Sequence, residues 1–232
     1  MDVLDIDTYL FYRSVFTPVD SNMYVLLDGD EAIVIDSNVS EDVYKLFVDN
    51  HISKVHLLLT HEHYDHTCGV CWMQKHFKTI LYSHKYSKDN LTTKRICNPR
   101  FVSILLAVID MKDGGRRCDS FEENVNDFKL IPDILFSDGD IIQIAHHRIR
   151  VIHVPGHTLA SCLFVLDEKI VFSGDSLIYG NKILTNFLGS NKEDILKITL
   201  PKLRALPPDI MIMPGHGRPF KKKEFNFDIY HV

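Results

Sequence analysis

The sequence predicts an α+β protein, and three observations carry that expectation. Short apolar runs closed by turn signals dominate both halves of the chain, segments of helical period fall between and after them, and 232 residues without repeats suit one domain. The expected organisation is a single domain over residues 1–232, with a partly helical insertion at about 83–136.

In chain order, Met23 to Leu27 and Ala32 to Ile35 are β-like runs flanking the turn Asp28-Gly29-Asp30, which predicts a hairpin. From Glu41 to Asn50, Val43, Leu46 and Phe47 share one stripe and predict a helix. Val55-His56-Leu57-Leu58-Leu59 has the short apolar run of a strand buried on both faces, and it leads directly into Thr60-His61-Glu62-His63-Tyr64-Asp65-His66. Val70, Met73 and Phe77 recur at helical spacing, and Thr79 to Tyr82 predicts a further strand. In the insertion, a helix is expected through Phe101 to Ile109, with loop signals at Asp113-Gly114-Gly115 and from Asn124 to Asp127. After the turn Asp138-Gly139-Asp140, strands are expected at Ile141 to Ile144, Arg148 to Val154, Ser161 to Leu166 and Lys169 to Phe172. A helix near Asp194 to Leu206, interrupted at Pro201, precedes a last strand at Ile210 to Met213.

Composition narrows the partners. Hydrophobic residues at 45%, charged residues at 25% and a net charge of −5 describe a globular chain with no positive field for a phosphate backbone, so nucleic acid is not an expected partner. No apolar run approaches the ~20 residues of a spanning helix, so no membrane is expected either. Asp2, Asp5 and Asp7 follow Met1 where a secretory signal would be cationic, and five cysteines are few and odd in number; both point to the cytoplasm.

The chemistry sits in the histidines. His61 and His63 are two apart and leave extended backbone on the same face, while Asp65 and His66 follow at once. His157 lies in Pro155-Gly156-His157, Asp175 in Gly174-Asp175 and His216 in Pro214-Gly215-His216, each at the end of an apolar β run. Imidazole and carboxylate without thiolate suit Zn²⁺, Mn²⁺ or Fe²⁺, and seven such donors are too many for one tetrahedral ion. Two divalent ions are therefore expected, zinc first, with iron or manganese as alternatives.

With His-x-His-x-Asp-His at His61 to His66, and His157, Asp175 and His216 beyond it, the chain from about Met23 to Pro219 resembles the metallo-β-lactamase-fold hydrolases. Within them it is most similar to the glyoxalase II (hydroxyacylglutathione hydrolase) and quorum-signal lactonase branch. The resemblance implies a four-layer αββα sandwich with the metals at its edge. It also implies one ion on His61, His63 and His157, a second on Asp65, His66 and His216, and Asp175 bridging both. The implied reaction is attack of a metal-bridging hydroxide on a small carbonyl ester, a thioester ahead of a lactone. Asp65 is expected to orient the nucleophile or pass a proton, and Tyr179 to hydrogen-bond the oxyanion. The competing readings are a mononuclear iron persulfide dioxygenase and a metal-binding regulatory module with little turnover.

The chain also departs from that pattern. Thr67-Cys68-Gly69 stands where the family has a Gly-Gly pair, and Cys68-x-x-Cys71 reads as small thiols in a buried helix, without chemistry. Few residues follow His216, which leaves no room for the helical extension that glyoxalase II uses to hold glutathione. His153 reads as a strand residue beside the ligands, and the remaining histidines, His146 and His147 among them, read as solvated. The insertion reads as a lid or as a dimer contact, hence a homodimer.

Overall fold

A computed structural model of the chain describes residues 1–93, 98–122 and 129–230. Seven strands make the first sheet in simple sequence order: β1 (Asp2–Ile6), β2 (Tyr9–Phe16), β3 (Ser21–Asp28), β4 (Glu31–Ile35), β5 (Lys54–Leu58), β6 (Thr79–His84) and β7 (Ile134–Phe136). The first four are antiparallel, and from β4 onward the neighbours run parallel. Parallel neighbours need crossovers, and the helices supply them. Between β4 and β5 lies α1 (Glu41–Asp49), capped by Ser40, whose hydroxyl accepts from Val43 N. Between β5 and β6 lie α2 (Tyr64–Thr67) and α3 (Val70–His76). Between β6 and β7 lie α4 (Lys88–Thr93), α5 (Arg100–Asp113) and α6 (Arg117–Glu122).

The second sheet joins β8 (Ile141–Ile144), β9 (His147–His153), β10 (Cys162–Leu166), β11 (Ile170–Gly174), β12 (Met211–Pro214) and β13 (Phe220–Lys221) in the order β13-β12-β11-β10-β9-β8. Only β11 and β12 pair in parallel, and their crossover is a helical run: α7 (Lys192–Asp194), a π turn over Ile195–Thr199, and α8 (Leu200–Ala205).

Period-two alternation assigns each strand residue to a layer. Ile33, Ile35, Leu58 and Phe11 of the first sheet meet Val151, Phe164 and Phe172 of the second in the central core. Val34, Val55 and Leu57 point the other way, onto Val43 and Phe47 of α1 and Val70 and Met73 of α3. Leu163, Val165 and Val171 likewise turn outward, onto Ile195, Leu200 and Leu203. Helix, sheet, sheet and helix thus form the four-layer sandwich.

One element is added and two expectations change. Ahead of the first strand expected, Asp2–Ile6 and Tyr9–Phe16 form the β1–β2 hairpin, in which Tyr9 and Phe11 point inward and Leu10 outward. The helix before β12, which β13 follows, is not broken at Pro201. A π turn just before it makes room for a residue that lacks an N–H and crowds the preceding carbonyls, and Thr199 donates its hydroxyl to Pro155 O at 2.6 Å. Ser83 and His84 belong to β6, and Ile134, Leu135 and Phe136 to β7, so the helical segment is narrower than expected. The helix expected through Phe101 to Ile109 falls within α5, whereas the loop signal at Asn124 to Asp127 lies outside the described residues. Among the described residues, no helix is long and apolar enough to cross a membrane.

Candidate metal centre

The ends of β5, β9, β11 and β12 converge on one edge of the sandwich, and the loop after each delivers its donors there. After β5 come His61 and His63, followed by Asp65 and His66 within the single turn of α2. His157 follows β9, Asp175 follows β11, and His216 follows β12.

The donors fall into two sets. In the first, His63 Nδ1 lies 3.1 Å from His61 Nε2 and 3.0 Å from His157 Nε2, and His157 Nε2 lies 3.4 Å from Asp175 Oδ2. In the second, His66 Nε2 and His216 Nε2 each stand 3.3 Å from Asp65 Oδ2, and 3.3 and 3.4 Å respectively from Asp175 Oδ1. Asp175 gives one oxygen to each set. A tetrahedral ion with bonds of about 2.0–2.1 Å has donor-to-donor edges of roughly 3.3 Å, so these spacings fit divalent ions. His66 Nε2 and Asp175 Oδ1 are moreover buried without a hydrogen-bond partner. Orphaned buried groups are costly unless something outside the protein satisfies them.

Outer contacts aim the rings. The Nδ1 atoms of His61, His66, His157 and His216 meet Thr60 Oγ1 at 3.1 Å, Asp36 Oδ2 at 2.8 Å, Leu184 O at 3.0 Å and Val19 O at 3.0 Å. Each of these contacts fixes a tautomer with Nε2 free toward the centre. Asp36 also accepts from Thr60 N and from the Thr60 hydroxyl. It was not foreseen, because a lone aspartate closing a strand carries no local mark of a partner 30 positions away.

The two sets differ electrostatically. Burial drives His61 and His157 down and His63 down to about 3, the neutral form a metal ligand requires. Around the second set burial acts in the same sense, but the carboxylates of Asp65 and Asp175 outweigh it. They hold His66 well above its usual range and His216 up at about 10. Burial would raise Asp65 and Asp175, yet the charges of His66 and His216 bring both well below the usual carboxylate range. Protons here balance carboxylates, and a divalent cation would take their place.

Two glycines are held by close approach. A Cβ on Gly215 would stand 2.4 Å from Asp175 Oδ1 and 2.8 Å from His66 Cε1. One on Gly69 would stand 2.3 Å from Asn38 O, so the second glycine of the family's pair is kept. The first is replaced by Cys68, half-buried, with Sγ 3.6 Å from Ser37 O.

The family model that matches is the metallo-beta-lactamase superfamily, over residues 16–216. The chain belongs to this family. A probable metallo-hydrolase, YqgX of Bacillus subtilis, is 23% identical over 202 residues, 86% of each chain. A hydroxyacylglutathione hydrolase of Pelagibacter ubique is 27% identical over 217 residues, covering 91% of this chain and 72% of that one. Among solved structures, TTHA1623 in a di-iron-bound form superposes with a TM-score of 0.69 at 21% identity, covering 92% and 96% of the two chains. Metallo-beta-lactamase superfamily members are mostly metal-dependent hydrolases, and the four-layer sandwich with donors at its edge is the architecture expected of one.

Other expected residues lie apart from the donors. Tyr179 is not among the residues lining the pocket over the donors; its ring rests 4.3 Å beneath the Arg218 guanidinium and against Phe220, and its neighbour Ile178 takes the pocket position. Arg218 is engaged with Tyr179 and Glu224. Cys71 is exposed rather than buried, and among the described residues no cysteine joins a metal-ligand cluster. Three histidines expected in solvent are engaged. His56 is buried against Tyr82 and Glu31, His147 contacts Asp167, and His84 is buried with its ring stacked on His153 at 4.4 Å and 8°. Glu62, between the first two ligands, is fully buried and accepts from Asn90 and Thr158 at 2.8 Å each.

Proposed function

We propose that the protein is a binuclear metal-dependent hydrolase that cleaves a small carbonyl ester, a thioester ahead of a lactone. One observation carries this reading: Asp175 turns Oδ1 to one donor set and Oδ2 to the other. The relative named hydroxyacylglutathione hydrolase supports the thioester.

Zinc is proposed for both positions, with His61, His63 and His157 holding one ion, Asp65, His66 and His216 the other, and Asp175 shared. Bound divalent ions lower the pKa of water to about 7 and polarise a carbonyl. The chain's own residues do the rest. Thr60, Asp36, Leu184 and Val19 hold the imidazoles in register, and in this reading the Asp65 carboxylate carries a proton between nucleophile and leaving group. The pocket over the donors, about 280 Å³, gives a small carbonyl ester room beside them.

The test is elemental analysis of protein purified without added metal, followed by a thioester and lactone panel. Two ions per chain with turnover are expected. One iron per chain with oxygen uptake would sink the hydrolase reading in favour of the persulfide dioxygenase, and metal without turnover would favour the regulatory module. For Asp65, the Asn substitution should abolish turnover with metal content kept; full turnover with both ions bound would remove its proton role.

A further inference from the structure

The pocket that opens on Asp65, Asp175 and His216 is walled by Val19, Val102, Leu105, Ile178, Leu184 and Phe187. None of these six side chains can form a hydrogen bond. The Phe187 ring makes T-shaped contacts with His63 and His157, ring centres 5.2 and 5.8 Å apart, so the apolar wall begins beside the proposed metal ligands themselves. Opposite it stands α5, docked through Val102 and Leu106 onto Tyr64 and Phe121, with Leu106 fully buried. Tyr64 lies inside the donor motif, which fixes the position of α5 relative to the donors. Leu105, the neighbour of Leu106, remains 44% exposed, and Leu184, which lines the same pocket, 52%. Beyond the ligands, the polar side chains among the lining residues are those of Tyr64, Lys182 and Asn181, whose amide already donates to Tyr179 O at 3.2 Å, so apolar side chains make up most of the remaining wall.

A hydroxyl on an acyl group lying against these six apolar side chains, away from Tyr64, Asn181 and Lys182, would lose its water without gaining a partner, whereas each methylene would gain. We propose that this site selects esters with an unsubstituted apolar acyl group, seated between α5 and the 184–187 loop, over the hydroxyacyl group named for the relative, with Leu105 and Leu184 as specificity-determining residues. The proposal rests on the hydrolase reading above and is tested so that the two fail separately.

The probes are N-acetylcysteamine thioesters of lactate, propionate and hexanoate, given to the metal-loaded protein. The expected kcat/KM for propionyl exceeds that for lactoyl by about tenfold, and rises further by about fourfold per methylene toward hexanoyl while the chain is still being buried. Leu105→Asn and Leu184→Asn, both at half-exposed positions that fold tolerates, should each cut the hexanoyl-to-lactoyl ratio by about tenfold. A lactoyl preference, or a ratio unchanged in both variants, overturns the proposal and leaves the hydrolase reading standing. If no thioester turns over, the thioester preference falls, the lactone panel decides the hydrolase reading, and calorimetry with free hexanoate and lactate decides the pocket. Tighter binding of hexanoate, weakened in the two variants, upholds the apolar subsite, and equal binding overturns it.

Discussion

The strand-end loops and helix α5 face each other across one pocket, yet they are held in different ways. The loops are fixed by backbone hydrogen bonds: Ser37 N to His66 O at 2.9 Å, Cys162 N to Thr60 O at 2.9 Å, Gly215 N to Gly174 O at 2.8 Å and Asn22 N to Gly215 O at 2.7 Å. Helix α5 is held to them by side-chain packing, and on its outer side Ile104, Val108 and Met111 stay exposed. Side chains that must meet within tenths of an ångström sit on backbone whose own polar groups are satisfied. A wall that only has to be apolar tolerates a looser attachment. Substitutions in the loops should therefore change metal stoichiometry, and substitutions in α5 should not.

The largest effect is expected for Asp175→Ala, which removes an oxygen from both sets. Both ions should be lost by elemental analysis, with activity falling further than the roughly 10–100-fold typical of outer partners. On the other side, Leu106→Ala should destabilise the α5 packing by about 2–5 kcal/mol in hydrogen exchange or denaturation, with two ions still bound. Loss of metal in that variant would show that the two walls are one unit. Asp36→Asn deprives His66 Nδ1 of its carboxylate and should weaken the second ion by about 10–100-fold, and the first, which Asp36 reaches through Thr60 and His61, by less; equal weakening of both would refute the division into sets.

The smallest effect belongs to the seam where β6 leaves the sheet for the helices. There burial, then the adjacent His153, pushes His84 down to about 4, with Lys85 adding to the effect and Asp138 and Asp140 opposing it. The folded state refuses a proton that the unfolded chain accepts below about 6.5. Stability from this group is thus full above pH 6.5 and drains away as pH falls toward 4. His84→Phe keeps the stack and should relieve about 1 kcal/mol of acid destabilisation at pH 5.5, seen as a shallower pH dependence of the melting temperature. An unchanged pH profile would count against a neutral His84.

What could be read from sequence divides along the same line. His61, His63, Asp65 and His66 announce themselves because four donors crowd into one strand-end turn, and the Pro-Gly-His and Gly-Asp turns mark His157, His216 and Asp175. Asp36 does not, since its meaning depends on Thr60 and His66 folding over it. The segment Val102 to Ile109 is apolar nearly all round, so it is legible as a helix but does not tell which face meets Tyr64 and which the pocket. Distance along the chain from Asp175 points to Tyr179, but a one-residue difference hands the pocket position to Ile178. His56 and His84 are buried in strands whose polar partners come from neighbouring strands and loops, which no local pattern encodes.

His61, His63, Asp65 and His66 descend from the first sheet, and His157, Asp175 and His216 from the second. With ions in place, both donor sets span that divide, so the sheets cannot part without giving up their cations. Metal then acts as a fastener between two halves of the sandwich, and its free concentration becomes a variable of folding. A site held at about 100 times its Kd contributes about 2.7 kcal/mol, so chelation should loosen the whole molecule as well as silence it.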